Sequence, residues 1–551
     1  MQLPGLLTRS RYLPAALAGL LLAAAFPKIG IAGLAWVAPA LMVACALGRP
    51  GGESFRLGYV AGFFHYLGSL YWLLAIPYRW HGIPLGPAAG WLALSAFMAI
   101  FPATWVWLLS PRSAGPGSRP SGALAPAWLQ RNLWALSGAA LWVGLEMVIT
   151  RIFSGFPWNL LGASQYQLLP LIQIASLAGI YGVSFLVIWT SLSLLSGALM
   201  LIRQPARRSA VLGEILVPCL AVALVFNFGL RRLGQSTPPS RTLSVAFIQP
   251  SIPQTLIWDP RGNDARFQEL IRLSETALTN HVDLLLWPEA AVPKLLRYDE
   301  TIFQAVTQLA KRHQVWLIIG ADDAEQRPNA TPPNNAYFYN SSFLISPDGE
   351  LIDRYRKRSL VIFGEYVPLT KWLPFLKFFT PIEGGFTPGQ HPVPFELADR
   401  AVKTSVLICF EDIFPDLGRD SADDDTDFLV NLTNNGWFGE SAAQWQHGTG
   451  GLFRAVENDL PLLRCCNNGL TCWIDGRGRL RQIFRDDRGT IYGSGFMLAQ
   501  IPLPAPGQLR TPTFYHRHGD WLGWGCVMVS LVLLGLRVAA RFRAGPQAPA
   551  H

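Results

Sequence analysis

The run Ser405-Val406-Leu407-Ile408-Cys409-Phe410-Glu411-Asp412 is short, apolar and partly β-branched, then turns abruptly to a thiol, an aromatic ring and two acids. Such a run predicts a buried β-strand that gives way to a loop where the polar residues begin. A thiol at that junction is held by a rigid element while open to a cleft. Taken alone, Cys409 also fits a buried structural thiol, the common state of a free cysteine. The flanking chain decides between the two.

Outward from this run, short apolar segments alternate with amphipathic ones. Strands are expected at 243–249, 283–287, 316–320, 341–345, 405–409, 428–432, 462–466 and 471–474. Helical spacing marks 264–280, 299–313 and 445–458. Two turn sequences, Pro347-Asp348-Gly349-Glu350 and Asp475-Gly476-Arg477-Gly478, mark hairpins. Strand–helix alternation with hairpins predicts an α/β domain in which mixed sheet is sandwiched by helices. No Gly-rich phosphate loop interrupts the pattern.

The first 230 residues have a different texture. The whole chain is 551 residues long, 50% hydrophobic and 15% charged. A membrane span needs about 20 apolar residues. Candidates lie at 12–27, 30–48, 57–77, 87–109, 133–150, 179–202 and 210–229, with an eighth at 520–537. Alternate loops between them divide the positive charge very unequally. One set holds thirteen arginines, from Arg9 to Arg543; the other holds only Lys28, Arg79 and Arg151. Positive loops stay cytoplasmic. Both termini are therefore expected inside, and the long segment 231–519 on the outer face. The net charge of +9 is thus a topology signal, and no nucleic-acid partner is expected.

The predicted organisation is a helical membrane bundle over 1–230, an α/β domain over 242–505 and a last membrane helix over 519–540. The aromatic loop 151–178 fits either an interfacial belt or a re-entrant segment. The seven cysteines follow no disulfide or zinc spacing, so no metal or cofactor is expected.

Two polar residues accompany Cys409. Glu289 ends Leu284-Leu285-Leu286-Trp287-Pro288-Glu289, and Lys357 lies just ahead of Phe363-Gly364-Glu365. Thiol attack needs a base for its proton and a donor for the oxyanion. Carboxylate, ammonium and thiol supply that set without a histidine. Each alone also fits an ordinary surface role; the set of three is what carries weight.

In this order the motifs resemble the Glu–Lys–Cys triad of the nitrilase superfamily. Spans before and after such a domain are similar to its membrane-embedded branch, the apolipoprotein N-acyltransferases. Further matches are Gln249-Pro250-Ser251-Ile252-Pro253-Gln254, Asn434-Asn435-Gly436-Trp437-Phe438-Gly439, Trp445-Gln446-His447, and Arg464 with Asn467-Asn468-Gly469. Three positions depart from the usual family pattern: Ile362 for Pro, Asn435-Gly436 for Asp-Ala, and Phe410 for Tyr.

The resemblance implies an α-β-β-α sandwich beside the membrane bundle, in a bacterial inner membrane. It implies that Glu289 is the base, Cys409 the nucleophile, and Lys357 with the N–H of Phe410 the oxyanion donors. The acyl donor would be a phospholipid resembling phosphatidylethanolamine, and the acceptor a diacylated apolipoprotein, acylated through a thioester. Glu365 and Glu411 would orient Lys357 and the substrate amine. Trp258 would engage substrate, and Asn340, in Tyr339-Asn340-Ser341-Ser342, fits a residue that holds a loop or a phosphate near the site. Independently, the apolar stretch Leu369–Phe379 with Gly384 and Gly385 fits either a packed helix or a lipid-dipping lid. Asp423-Asp424-Asp425 is expected to be a solvated turn, His447 structural, and Cys465 and Cys466 buried. The alternatives are a membrane-tethered nitrilase-type amidase, and a transporter with an outer binding module. The transporter is disfavoured by the scarcity of intramembrane ionisable residues.

Overall fold

The computed structural model describes residues 10–77, 85–110, 122–125, 127–203, 208–235, 239–257, 259–327, 336–370, 372 and 385–543. The chain forms two compact units. One comprises Met1–Tyr71, Gly90–Arg232 and His518–His551; the other comprises Trp72–Ala89 and Leu233–Arg517.

The first unit is helical. Among the described residues, five helices are long and apolar enough to cross a membrane: Gly86–Leu109, Trp128–Ile149, Ala175–Arg203, Val211–Gly234 and Trp521–Ala539. The sequence predicts eight spans, and the difference lies in the first three. Tyr12–Ala23 has 12 residues, about 18 Å of helix against a hydrocarbon core of about 30 Å. The second divides into a 3-10 turn, Ala32–Trp36, and a short helix, Ala38–Ala46. The third is the helix Gly51–Ser69, which carries Glu53, Arg56 and His65 and ends before the turn Tyr71–Ala75. The loop after Ile149 buries Trp158, Leu160 and Leu161 within this unit. Its backbone is tied down where Glu146 accepts from the N–H of Leu161 at 2.7 Å and Ser184 from that of Gly162 at 2.9 Å.

The second unit stacks two six-stranded sheets. In chain order the strands are β1 (Arg241–Gln249), β2 (Leu284–Val292), β3 (Trp316–Gln326), β4 (Ala336–Ile345), β5 (Leu351–Arg356), β6 (Pro394–Leu397), β7 (Val402–Ile408), β8 (Phe428–Thr433), β9 (Leu462–Cys466), β10 (Cys472–Ile474), β11 (Leu480–Ile483) and β12 (Gly495–Leu503). One sheet runs β12-β1-β2-β3-β4-β5 and the other β11-β10-β9-β8-β7-β6. Each has a parallel centre and antiparallel margins.

Alternation along the strands builds two cores. Val245, Phe247, Leu284, Leu286 and Ile318 face Val406, Ile408, Val430 and Leu463 between the sheets. The opposite face of the first sheet, with Ile248, Leu285, Trp287 and Ile319, packs under the helices Asn263–Ala277 and Glu300–His313. Helix Ala443–Asn458, buried along most of its length, packs against β9 on the other sheet. Each fully buried Leu, Ile, Val or Phe contributes about 1.5–3 kcal/mol. This is the predicted α-β-β-α layering. Its consequence for function is that the later parts of β2 and β3 and the middle of the antiparallel β4 lie close to the ends of β7 and β8.

Candidate active site

β7 ends at Ile408, and Cys409 opens a 3-10 turn, Cys409–Ile413. Cys409 has φ +55°, a left-handed conformation that a non-glycine residue rarely adopts. Such backbone persists only where neighbours over-determine it. The neighbours here are specific. Asn431 on β8 donates from Nδ2 to the carbonyl oxygens of Cys409 at 2.8 Å and Leu407 at 3.2 Å. His447 Nε2 lies 3.2 Å from the Cys409 carbonyl oxygen and 2.8 Å from Asp412 Oδ1. Asp412 in turn pairs with Arg464, which also donates to Asn431 Oδ1 at 2.8 Å. His447 is therefore structural, as expected, and Arg464, Asp412 and Asn431 form a buried frame under the Cys409 turn.

Glu411 completes that frame. Its Oε2 accepts from the N–H of Ile408 at 2.7 Å and the hydroxyl of Tyr355 at 2.9 Å. Its Oε1 accepts from the N–H groups of Arg358 at 2.6 Å and Ser359 at 3.0 Å. Both oxygens are filled by these four donors, none of which is Lys357. The residue clamps β7 to the segment after β5. Burial raises its carboxyl above the usual carboxylate range despite these bonds.

Glu289, Asn340, Lys357 and Glu365 meet at the end of the other sheet, all of them buried. β2 continues through Pro288 as far as Val292, and its register with β3 shifts between Trp287 and Val292. Gly320 on β3 is what lets Glu289 sit there. A Cβ at that position would overlap the Pro288 carbonyl and approach the Glu289 Cα to 2.8 Å. Lys357 Nζ donates to Glu365 Oε1 at 2.8 Å and to Glu289 Oε1 at 3.2 Å. Asn340 Nδ2 donates to the same two oxygens at 2.9 and 2.8 Å. The remaining oxygens accept backbone N–H groups, Asn434 to Glu289 at 2.9 Å and Val361 to Glu365 at 2.8 Å.

The charges decide the protonation states. Burial alone would lower the Lys357 ammonium, but the carboxylates of Glu289 and Glu365 outweigh it and hold the group well above the usual lysine range. Burial and the Glu289 carboxylate push the Cys409 thiol upward, opposed in part by Lys357. The resting site therefore pairs a neutral thiol with a permanent cation and a carboxylate. That combination suits proton transfer from sulfur in concert with attack on a carbonyl.

Phe410 places its ring 5.4 Å from Lys357 Nζ and edge-on to Phe414 at 5.2 Å. It carries no hydroxyl for a hydrogen bond. Asn435, another of the three departures, uses Oδ1 to meet His447 Nδ1 at 2.9 Å. The motif Gln249–Gln254 is knitted to the Asn434 and Asn467 motifs: Gln254 Oε1 accepts from Asn434 Nδ2 at 2.9 Å, and Asn467 donates to Ile252 at 2.9 Å and to Asn434 at 3.0 Å. Trp258 lies outside the described residues, as does most of the proposed lid. Of that stretch, Leu369, Thr370, Trp372 and Gly385 are described, and Trp372 is 82% exposed. Cys465 and Cys466 are buried, and Asp423, Asp424 and Asp425 are exposed beside Lys403. Residue-by-residue reading missed Asn431 and Asp412. The one signal was Asn431 standing polar within the apolar run Phe428–Thr433.

Two family profiles match the chain: carbon-nitrogen hydrolase over residues 244–497, and the apolipoprotein N-acyltransferase N-terminal domain over residues 18–193. A Geobacter metallireducens protein named apolipoprotein N-acyltransferase is 34% identical over 535 residues, covering 96% of this chain and 95% of that one. A Vibrio vulnificus protein of the same name is 30% identical over 537 residues, covering 95% and 96%. A solved amidase from Nesterenkonia sp. is similar over 51% of this chain and 97% of its own, with 17% identity and a TM-score of 0.35.

Proposed function

The chain belongs to the apolipoprotein N-acyltransferase family, and on that premise we propose that it moves a fatty acyl chain from a phospholipid to the α-amino group of an S-diacylglyceryl-cysteine through a thioester on Cys409. One observation carries the catalytic assignment. A thiol on a strained turn shares its surroundings with a carboxylate, Glu289, and a buried ammonium, Lys357, that hydrogen-bond each other.

Glu289 takes the thiol proton as sulfur attacks the ester carbonyl. Lys357, with the N–H of Phe410, stabilises the tetrahedral oxyanion; one such donor is commonly worth about 100- to 1,000-fold in rate. Collapse breaks the C–O bond, and Glu289 returns the proton to the departing lysophospholipid alkoxide. The acceptor amine then attacks the thioester, forming C–N and breaking C–S. Glu365 and Asn340 hold Lys357 and Glu289 in register, and Trp258 engages substrate. The acyl donor is a phosphatidylethanolamine-like lipid and the acceptor a diacylated apolipoprotein.

The catalytic domain is residues 242–505 on the periplasmic face of the inner membrane, with both termini cytoplasmic. The positive-loop bias supports this side. Counting Tyr12–Ala23, Ala32–Ala46 and Gly51–Ser69 as further crossings beside the five long helices gives eight, an even number consistent with it.

The test is incubation of the purified chain with radiolabelled phospholipid. A hydroxylamine-sensitive acyl adduct that disappears in Cys409→Ala is expected. Absence of any adduct would overturn the acyl-enzyme. An adduct discharged to water and never to a diacylated lipopeptide would favour the amidase-type hydrolase.

A further inference from the structure

Three of the carboxylates around the Glu289–Lys357 pair are already engaged. Glu289 and Glu365 each accept three hydrogen bonds, and Glu411 accepts four. A fourth is Asp322 on β3. Among the described residues it has no hydrogen bond or ion pair, and it is half-buried.

The register fixes where it points. Asp322 stands directly opposite Asn340 in the antiparallel β3–β4 pair. Directly opposed residues project from the same face, with Cβ atoms about 4.5–5.5 Å apart. That is the face from which Asn340 reaches Glu289 and Glu365. It is also the face on which Gly320, two residues earlier, passes against Glu289. Asp322 is thus the next carboxylate outward from the Glu289–Lys357 pair.

From this placement we infer that Asp322 receives the α-ammonium group of the acceptor and takes its first proton before the amine attacks the thioester. The inference rests on the thioester reading above. The proton count closes. The ammonium gives one proton to Asp322, which passes it to water. The neutral amine attacks, the C–N bond forms and the C–S bond breaks. The second amine proton goes to Glu289 and then to the departing Cys409 sulfur. Neither Glu289 nor Glu365 suits the first task, because the permanent Lys357 cation bonded to both repels a second cation.

The electrostatics agree. Burial, then the carboxylates of Glu289 and Glu365, push Asp322 up to about 7, opposed by Lys357 and reinforced by Asp323. An α-amino group titrates at about 7.7–8.0. A base with a nearby pKa takes its proton at little cost.

The experiment separates the two half-reactions on the full-length chain in bilayer discs. Acyl-enzyme is formed with radiolabelled phosphatidylethanolamine, then mixed with a diacylated lipopeptide or with hydroxylamine, which is uncharged near neutral pH and needs no such base. In Asp322→Asn, adduct formation and discharge to hydroxylamine should stay within about two-fold of wild type. Discharge to the lipopeptide should fall at least about 100-fold near neutral pH, the low end for a lost general base. Wild-type discharge to the lipopeptide should weaken as pH falls through about 7, and that step should be missing in the variant. Asp322→Glu should recover part of the rate. Unchanged lipopeptide discharge, or equal slowing with both nucleophiles, overturns the assignment. Absence of an adduct on the wild-type chain overturns the thioester reading itself, and this inference with it.

Discussion

The side-chain amide of Asn431 donates to the carbonyl oxygen of Cys409 at 2.8 Å. This bond joins β7 and β8, adjacent parallel strands of the second sheet, at the point where β7 stops. It turns the peptide after Cys409 away from the ladder, consistent with the residue's φ of +55°. Arg464 holds Asn431 from the other side through Oδ1. Cys409 is thereby positioned through its backbone carbonyl by a side chain of the neighbouring strand.

Asn431→Leu keeps the volume and removes both halves of this link. The Cys409 carbonyl and Arg464 each lose a partner, the first partly buried and the second fully buried. An unsatisfied buried group costs about 1–3 kcal/mol, so a lowered thermal midpoint is expected. Acyl-adduct formation should slow beyond what the folded fraction explains. A variant with normal stability and normal acylation would remove Asn431 from the positioning role.

The thiol of Cys409 should stay protonated in the resting protein through neutral pH. Burial and the Glu289 carboxylate both oppose the thiolate, and Lys357 only partly offsets them. The sign is that of an acid whose folded value is raised, so the anion appears only at high pH. Thiolate absorbance of wild type minus Cys409→Ala, followed against pH, should show no step below about pH 9, above the free-thiol value of about 8.5. A step near neutrality would mean a preformed thiolate, and Glu289 would then not be needed as its base.

Gly320→Ala should displace the Glu289 carboxylate without altering its chemistry. The new methyl group would meet the Pro288 carbonyl and the Glu289 Cα. Overpacking of this kind typically costs about 1–3 kcal/mol, and here the strain falls on the residue that carries the carboxylate. Acyl-adduct formation should drop at least about 100-fold, since misplacement of about 1 Å is enough for that. Normal acylation by a stable Gly320→Ala chain would show that Glu289 tolerates movement.

Much of the site was legible because strand ends are legible. Glu289 and Cys409 follow apolar β-runs, and Lys357 precedes a recognisable Phe-Gly-Glu. What escaped did so for physical reasons. Gly320 reads as a strand terminator, whereas β3 runs on to Gln326 and the glycine marks a close backbone approach. That misplaced ending hid Asp322. Pro288 likewise suggested an end at Trp287, although β2 carries it through to Val292. β5 and β11 were overlooked because Asp353, Arg354, Arg481 and Gln482 mask their alternation, as suits edge strands. Glu411 was expected beside Lys357, but an acid two residues past a strand end can also turn back to cap it, and the four donors around it decide that.

In the helical unit, Arg131 and Glu214 form an ion pair between the helices Trp128–Ile149 and Arg208–Gly234, with Nε to Oε1 at 2.8 Å. Both side chains are almost fully buried, at 3% and 1% exposure. Arg131 also donates to the carbonyl of Ala125 at 2.6 Å. Desolvating the two charges costs nearly as much as their attraction returns, so the pair adds little net stability while both members are present. Removing one member is different, because the survivor is left buried and charged. Glu214→Leu should therefore lower stability by about 3–5 kcal/mol, whereas Arg131→Met with Glu214→Leu should recover most of it. The readouts are the thermal midpoint in detergent and the abundance of chain in the membrane fraction. A double variant as unstable as Glu214→Leu alone would mean that the pair itself, not the orphaned arginine, holds these helices together.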